Sequence, residues 1–224
     1  MKMLLTSAGI RNPSIHAALV DLLGKPVPEC NALCIPTASY GHPYAGPLRA
    51  WQFISGAPET TCPMIELGWK SVGVLELTAL PSIDKDRWVS WVQEADVLLV
   101  NGGDTLYLAH WMRQSGLADL LPSLRAVYVG LSAGSVMMGP NVADRFVHWS
   151  VLPIGSVQML GRVDFEMFPH VDNPDLPDFS MAHAEQWAGE LSVPGYAMDD
   201  ETALKVVDGN VEVISEGHWK QFTP

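Results

Sequence analysis

Cationic side chains are scarce in this chain: Lys and Arg total 13 against 25 Asp and Glu, a formal net charge of -12. The field of such a surface repels phosphate backbones and anionic lipid headgroups, so neither nucleic acid nor a membrane is an expected partner. Cysteine is sparse and odd in number, at Cys30, Cys34 and Cys62. Without metal-ligand spacing or an even framework, these thiols fit a reducing compartment. No uninterrupted apolar run reaches the length a membrane span needs. The first residues, Met1 to Ala8, read as a strand and lack a charged segment leading into a long apolar stretch and cleavage site, which makes the cytoplasm the expected location. Internal repeats, low-complexity tracts and a dinucleotide fingerprint are also missing, and no His/Cys/Asp cluster has metal-ligand spacing. The expectation is therefore no metal and no organic cofactor.

What is present is ordinary globular composition, 48% hydrophobic and 17% charged over 224 residues, enough for a substantial core in one α/β domain spanning 1–224. Apolar strand-like runs alternate with helical patterns. Met3 to Ala8 leads to a helix capped by Asn12 with Pro13 in its first turn and Ile15, Ala18, Leu19 and Leu22 at helical spacing. Further strands are predicted at Ala32–Pro36, Ser71–Leu77 and Ala95–Val100, with a loop over Thr37–Pro47 and helical patterns over Trp51–Gly68, broken near Pro58 and Pro63, and over Asp84–Gln93. Near-continuous apolar strands in this order predict a doubly wound, mainly parallel sheet flanked by helices. After Pro140 the pattern loosens. Val163–Phe168 reads as a strand, Ser180–Leu191 as a helix, and short β runs at Gly195–Met198, Ala203–Val207 and Val211–Ile214 around the turn Asp208-Gly209-Asn210 predict a C-terminal β-hairpin covering the sheet edge.

The most informative stretch is Ala126 to Met138. A β-branched, aromatic-containing run ends in Gly130-Leu131-Ser132-Ala133-Gly134 and passes directly into small and unbranched residues, the pattern of a buried strand turning sharply into a helix. Such a nucleophile elbow needs little side-chain volume around the serine, which Gly130 and Gly134 provide. It leaves the Ala133 N–H free at the helix start to stabilise an oxyanion. Asn101-Gly102-Gly103-Asp104-Thr105, at the end of the preceding strand, offers a second donor from the main chain of its two glycines. Asp104 and Thr105 there either cap the next helix or reach a substrate.

A serine hydroxyl needs a base. Of seven histidines, His170 has the best context, after Phe168-Pro169 and at the head of a polar, proline-rich loop; His148 and His183 are the runners-up. An acid must then orient the imidazole, and Asp199, Asp200 and Glu201 cluster where another strand-like run ends. From residue pattern alone the three are equivalent.

Asn-Gly-Gly-Asp-Thr at 101–105, Gly-Leu-Ser-Ala-Gly-Ser at 130–135, Phe-Pro-His at 168–170 and Ala-Met-Asp-Asp-Glu-Thr-Ala-Leu at 197–204 resemble, in order, the motifs of peptidase E, the aspartyl dipeptidases of the S51 serine peptidases, whose relatives include cyanophycinase. The resemblance implies a class I glutamine-amidotransferase-like fold and a Ser-His-acid hydrolase of small peptides. It makes Ser132 the nucleophile, His170 the base, and Gly103 and Ala133 the oxyanion donors. Where peptidase E has a glutamate in the last motif, Asp200 stands here, with Glu201 and Asp199 as alternative acids. The segment of peptidase E credited with recognising the acidic substrate residue carries an arginine. Asp172 to Glu190 contains neither Arg nor Lys, so the charge would have to come from Arg145, Arg162 or Arg11. Two other readings fit the same residues: an esterase, amidase or cyanophycinase-like hydrolase, and a non-catalytic small-molecule-binding domain. Eight tryptophans and ten methionines leave room for an apolar homodimer patch beside the core.

Overall fold

The computed structural model describes residues 1–56 and 63–224. In chain order its strands and helices are β1 (Lys2–Thr6), α1 (Pro13–Leu23), β2 (Asn31–Ile35), α2 (Ala38–Gly41), α3 (Gly46–Ser55), β3 (Ser71–Val74), α4 (Lys85–Glu94), β4 (Val97–Val100), α5 (Thr105–Gln114), α6 (Leu117–Leu120), β5 (Val127–Leu131), α7 (Ala133–Val136), β6 (Glu166–Phe168), α8 (Met181–Ala188), β7 (Gly195–Met198), β8 (Thr202–Val207), β9 (Asn210–Ser215) and β10 (Trp219–Phe222). A seven-stranded sheet runs in the order β3-β2-β4-β5-β1-β8-β9, and a three-stranded sheet in the order β10-β7-β6. The first five strands of the large sheet are parallel; β8 joins β1 antiparallel, and β9 returns beside β8.

Strand alternation divides the interior into two layers, because successive side chains point to opposite faces of a sheet. Met3, Leu5, Leu98, Val100 and Tyr128 pack on one face with α4 and α5. Leu4, Val97, Leu99, Val127 and Val129 pack on the other with Ile15, Leu19 and Leu22 of α1 and Phe53 of α3. With helices on both faces, no residue of β4 or β5 can be polar without a partner, which is why these strands read as continuous apolar runs.

Local signals account for the element ends. The Asn12 side chain accepts from Ile15 N–H at 2.9 Å and Gly24 closes α1 at φ 70°, a left-handed conformation that glycine adopts at little cost. Asp84 and Asp104 cap α4 and α5 in the same way as Asn12 caps α1.

Three expectations are corrected. The loop over 37–47 contains the short helix α2 and the start of α3. The predicted helix over 51–68 lies partly outside the described residues; within them, α3 starts earlier and ends at Gly56, which is left-handed at φ 61°. The C-terminal hairpin β8–β9 does cover the sheet edge, but Gly195–Met198 leaves it. That strand pairs with β6 and with β10, a strand not anticipated, to make the second sheet. Among the described residues no helix is long and apolar enough to cross a membrane.

Candidate active site

The parallel strands of the large sheet and the strands β6 and β7 all end at one edge, the position where α/β sheets bind ligands. From the large sheet come Ser7 after β1, Ser39 after β2, Asn101–Gly103 after β4 and Ser132 after β5. From the small sheet come His170 after β6 and Asp200 after β7. Of these, Ser39, Asn101–Gly103, Ser132 and His170 line a cavity of about 620 Å³ whose walls also include Phe53, Phe146, Trp149 and Phe179, with Ala133 beside Ser132; Ser7 and Asp200 stand behind His170.

Ser132 sits at φ 49°, ψ -111°, a backbone conformation rare for a residue with a side chain. Its surroundings enforce it. The Ser132 N–H donates to the main-chain oxygens of Thr6 and Ser7, each at 3.1 Å, while its carbonyl begins the next helix by accepting from Ser135 and Val136 N–H. The turn fits only because two neighbours are glycine. A Cβ on Gly130 would lie 2.6 Å from the Gly134 oxygen, and one on Gly134 would lie 2.5 Å from the Val100 oxygen.

His170 Nε2 is 2.9 Å from Ser132 Oγ, and His170 Nδ1 is 2.7 Å from Asp200 Oδ1. An ionised carboxylate can only accept, so the proton belongs on Nδ1 and leaves Nε2 to accept from the serine hydroxyl. Burial pushes the Asp200 carboxyl up, but the His170 hydrogen bond and charge, with donors from Asn173 and Ser7, outweigh it and hold the group below the ordinary carboxylate range. Asn173 Nδ2 donates to Asp200 Oδ2 at 2.6 Å. The Ser7 hydroxyl donates to Asp200 Oδ1 at 3.0 Å and accepts the His170 N–H at 2.8 Å, tying the acid to the backbone of the base.

Among the described residues, neither the Gly103 nor the Ala133 N–H is taken up by an acceptor, and both residues face the cavity. Gly103 has φ 139°, and a Cβ there would strike the Ala38 carbonyl, so only glycine brings this amide to the site. Asn101 secures the turn: its Oδ1 accepts the Gly102 N–H at 2.9 Å and its Nδ2 donates to Ser39 Oγ at 3.0 Å.

The three candidate acids separate. Asp199 is buried and braces its own turn, accepting on Oδ1 from Thr202 Oγ1 at 2.6 Å and from Glu201 N–H at 3.1 Å. Glu201 turns outward to Arg11 and Asn12. Only Asp200 reaches His170. Asp104 is fully buried and holds the Ser150 hydroxyl and Val151 N–H besides capping α5, which places it in the scaffold; Thr105 does line the cavity. Arg145 does not line it. Its guanidinium lies over the Phe168 ring, donates to the His183 carbonyl at 3.2 Å and borders a separate polar cavity. Arg162 donates to the Ala118 carbonyl. His148 contacts the Arg145 carbonyl and His183 the Ser180 hydroxyl, so neither is near Ser132.

Three site residues escaped the sequence reading, Ser7, Asn173 and Arg49, whereas the stretch Thr37–His42, open from the sequence between a site lining and a plain surface loop, does bring Ser39 and His42 to the cavity. Ser7 had a usable signal, since it follows a strand at the ligand-binding edge. Arg49 had none, because it lies on a helix whose role at the cavity depends on how α2 and α3 fold over the sheet. His42 packs against Trp149 and accepts the Tyr44 N–H on Nδ1; burial keeps its pKa low, opposed by the Asp104 charge.

The chain is similar to several known proteins. It is 28% identical over 131 residues to peptidase E of Nostoc sp., covering 55% of this chain and 54% of that one. It is 31% identical over 138 residues to an uncharacterized peptidase of Bacillus subtilis, covering 60% and 56%. The matched region thus spans little more than half the length of these relatives. A crystal structure of a peptidase from an acI-B1 actinobacterium superposes with a TM-score of 0.65 at 19% identity, covering 99% of this chain and 93% of the other, which supports the fold. The model of peptidase family S51 matches residues 3–214, and by that match the chain belongs to peptidase family S51.

Proposed function

We propose that the protein is a serine peptidase that hydrolyses short peptides, a dipeptidase of the aspartyl type, with Ser132, His170 and Asp200 as its catalytic triad. The observation that carries this reading is the unbroken hydrogen-bonded line from Asp200 through His170 to Ser132 Oγ, opening on a cavity with two unused main-chain donors. His170 Nε2 takes the hydroxyl proton as Oγ attacks the peptide carbonyl. Asp200 keeps the imidazole in the required tautomer and stabilises its charge. The Gly103 and Ala133 amides receive the developing oxyanion. His170 then returns the proton to the leaving amine, and water hydrolyses the acyl-enzyme by the same steps.

Support for an acidic substrate comes from Arg49, the one Arg or Lys lining this cavity among the described residues. A carboxylate drawn into an aromatic-walled site without a cation would cost several kcal/mol, and the three arginines weighed from the sequence are engaged elsewhere. A reducing compartment is consistent with Cys30 and Cys34, both free and buried, the Cys34 thiol being pushed by burial up to about 12.

A fluorophosphonate label should modify Ser132, and Ser132→Ala should lower kcat on aspartyl dipeptides by about 10⁶-fold. Arg49→Gln should raise KM for an aspartyl dipeptide by on the order of tenfold while leaving a neutral dipeptide within about twofold. Full turnover by Ser132→Ala would exclude the triad. No label and no turnover on any peptide or ester would favour a binding domain, and an unchanged KM in Arg49→Gln would remove the acidic preference.

A further inference from the structure

A histidine outside the relay spans the two loops that carry it. His218, between β9 and β10, has Nε2 2.9 Å from Asp172 Oδ2 and Nδ1 3.0 Å from Asp199 Oδ2. Its N–H also donates to that Asp199 oxygen at 2.6 Å, and its carbonyl accepts the Asp199 N–H at 3.2 Å.

Each carboxylate organises one catalytic loop. Asp172, two residues after His170, is left-handed at φ 56°, accepts the Met181 N–H on Oδ1 and donates its own N–H to the Phe179 carbonyl. It therefore shapes the segment that carries His170, Asn173 and the Phe179 wall. Asp199 precedes Asp200 and ties down the turn through Glu201 and Thr202. The Met181 N–H holds Asp172 below the ordinary carboxylate range, with burial opposing and His218 assisting. Three carboxylates, at 172, 199 and 200, thus sit on two adjacent loops, and His218 lies between the first two of them. The Nε2–Asp172 contact is a hydrogen bond, and on the other side the His218 main chain and ring together hold Asp199, so the one residue touches both loops.

We propose that His218 is a positioning residue: by bridging Asp172 and Asp199 it sets the separation of the His170 loop and the Asp200 turn, and with it the His170–Asp200 hydrogen bond. The consequence for turnover rests on the triad proposed above, but the geometric claim does not.

The test follows the low-field proton NMR resonance of His170 Nδ1–H together with kcat and KM. His218→Ala should shift or broaden that resonance and lower kcat by on the order of tenfold, with KM changed by less than about twofold, as expected for misalignment remote from the substrate. His218→Gln, which restores a donor toward one loop only, should recover part of both. If His218→Ala does not fold, His218→Phe reports on the same bridge, because it keeps a ring in that place but offers no ring nitrogen to either carboxylate. A native resonance in folded His218→Ala or His218→Phe overturns the proposal. A wild-type protein that shows the resonance but turns over no peptide would instead count against the hydrolase reading, leaving the resonance in the variants to decide the bridge.

Discussion

Ser7 is fully buried, yet its hydroxyl does two jobs at once, accepting the His170 N–H and donating to Asp200 Oδ1. Removing it strands one donor and loosens one acceptor. Ser7→Ala should therefore destabilise the fold by about 1–3 kcal/mol, the usual cost of an unsatisfied buried group. It should also lower kcat by on the order of tenfold with little change in KM, because the imidazole loses a constraint and the substrate does not. Urea unfolding and steady-state kinetics on one preparation check both, and a loss confined to KM would contradict this role. Comparable attention to Asp199 and Glu201 explains their separation from Asp200. Adjacent residues on a tight turn point in different directions, so three carboxylates in a row meet three environments: the Thr202 and His218 brace, the imidazole, and the exposed Arg11.

The elbow is a property of elements. β5 can turn into α7 only by passing the Gly134 main chain close to Gly130 and to the end of β4, and the Tyr128 hydroxyl anchors the far side by donating to the Gly134 carbonyl at 2.5 Å. Close backbone approach of this kind leaves no space for a methyl group. Gly130→Ala should cost about 1–3 kcal/mol through overpacking and should displace Ser132, so that fluorophosphonate labelling slows even where the variant remains folded. A midpoint in urea equal to that of the wild type would show that the strand can give way. The two sheets divide the labour similarly. The large sheet presents Ser132 and the Gly103 and Ala133 amides, while the small one presents His170 and Asp200. Their junction is braced by His218 from the β9–β10 turn.

For the molecule as a whole, acid should be the weak side. Asp200 is held below its ordinary range for the reasons given. Asp96 is too: burial raises it, but the Lys25 hydrogen bond and the Asn31 N–H more than offset this. A carboxyl whose folded pKa is depressed contributes stability above its unfolded value, near 3.9 for aspartate, and loses it as pH falls through the folded value. The melting temperature should therefore be level through neutral pH and drop below about pH 4. In Asp96→Asn that acid-side drop should be shallower, as circular dichroism melts across pH would show.

Much of this architecture was written locally. The elbow, the Gly102-Gly103 turn, the Asn12 cap and the apolar runs of β1, β2, β4 and β5 are legible because each depends on residues within a turn or two of one another, where sterics and hydrogen-bonding chemistry act directly. Hence the layered α/β fold and the identities of Ser132, His170, Gly103 and Ala133 as candidates followed from the chain alone. The pairing of Asp200, not its neighbours, with His170 did not, nor did the placements of Ser7, Arg49 and His218, the removal of Arg145 to another cavity, or the departure of Gly195–Met198 into a second sheet. Each is settled by partners far away in sequence, as Ser7 is from Asp200 by 193 positions. Which side chain meets which across such a distance is determined by the packing of whole layers, and no local preference encodes it.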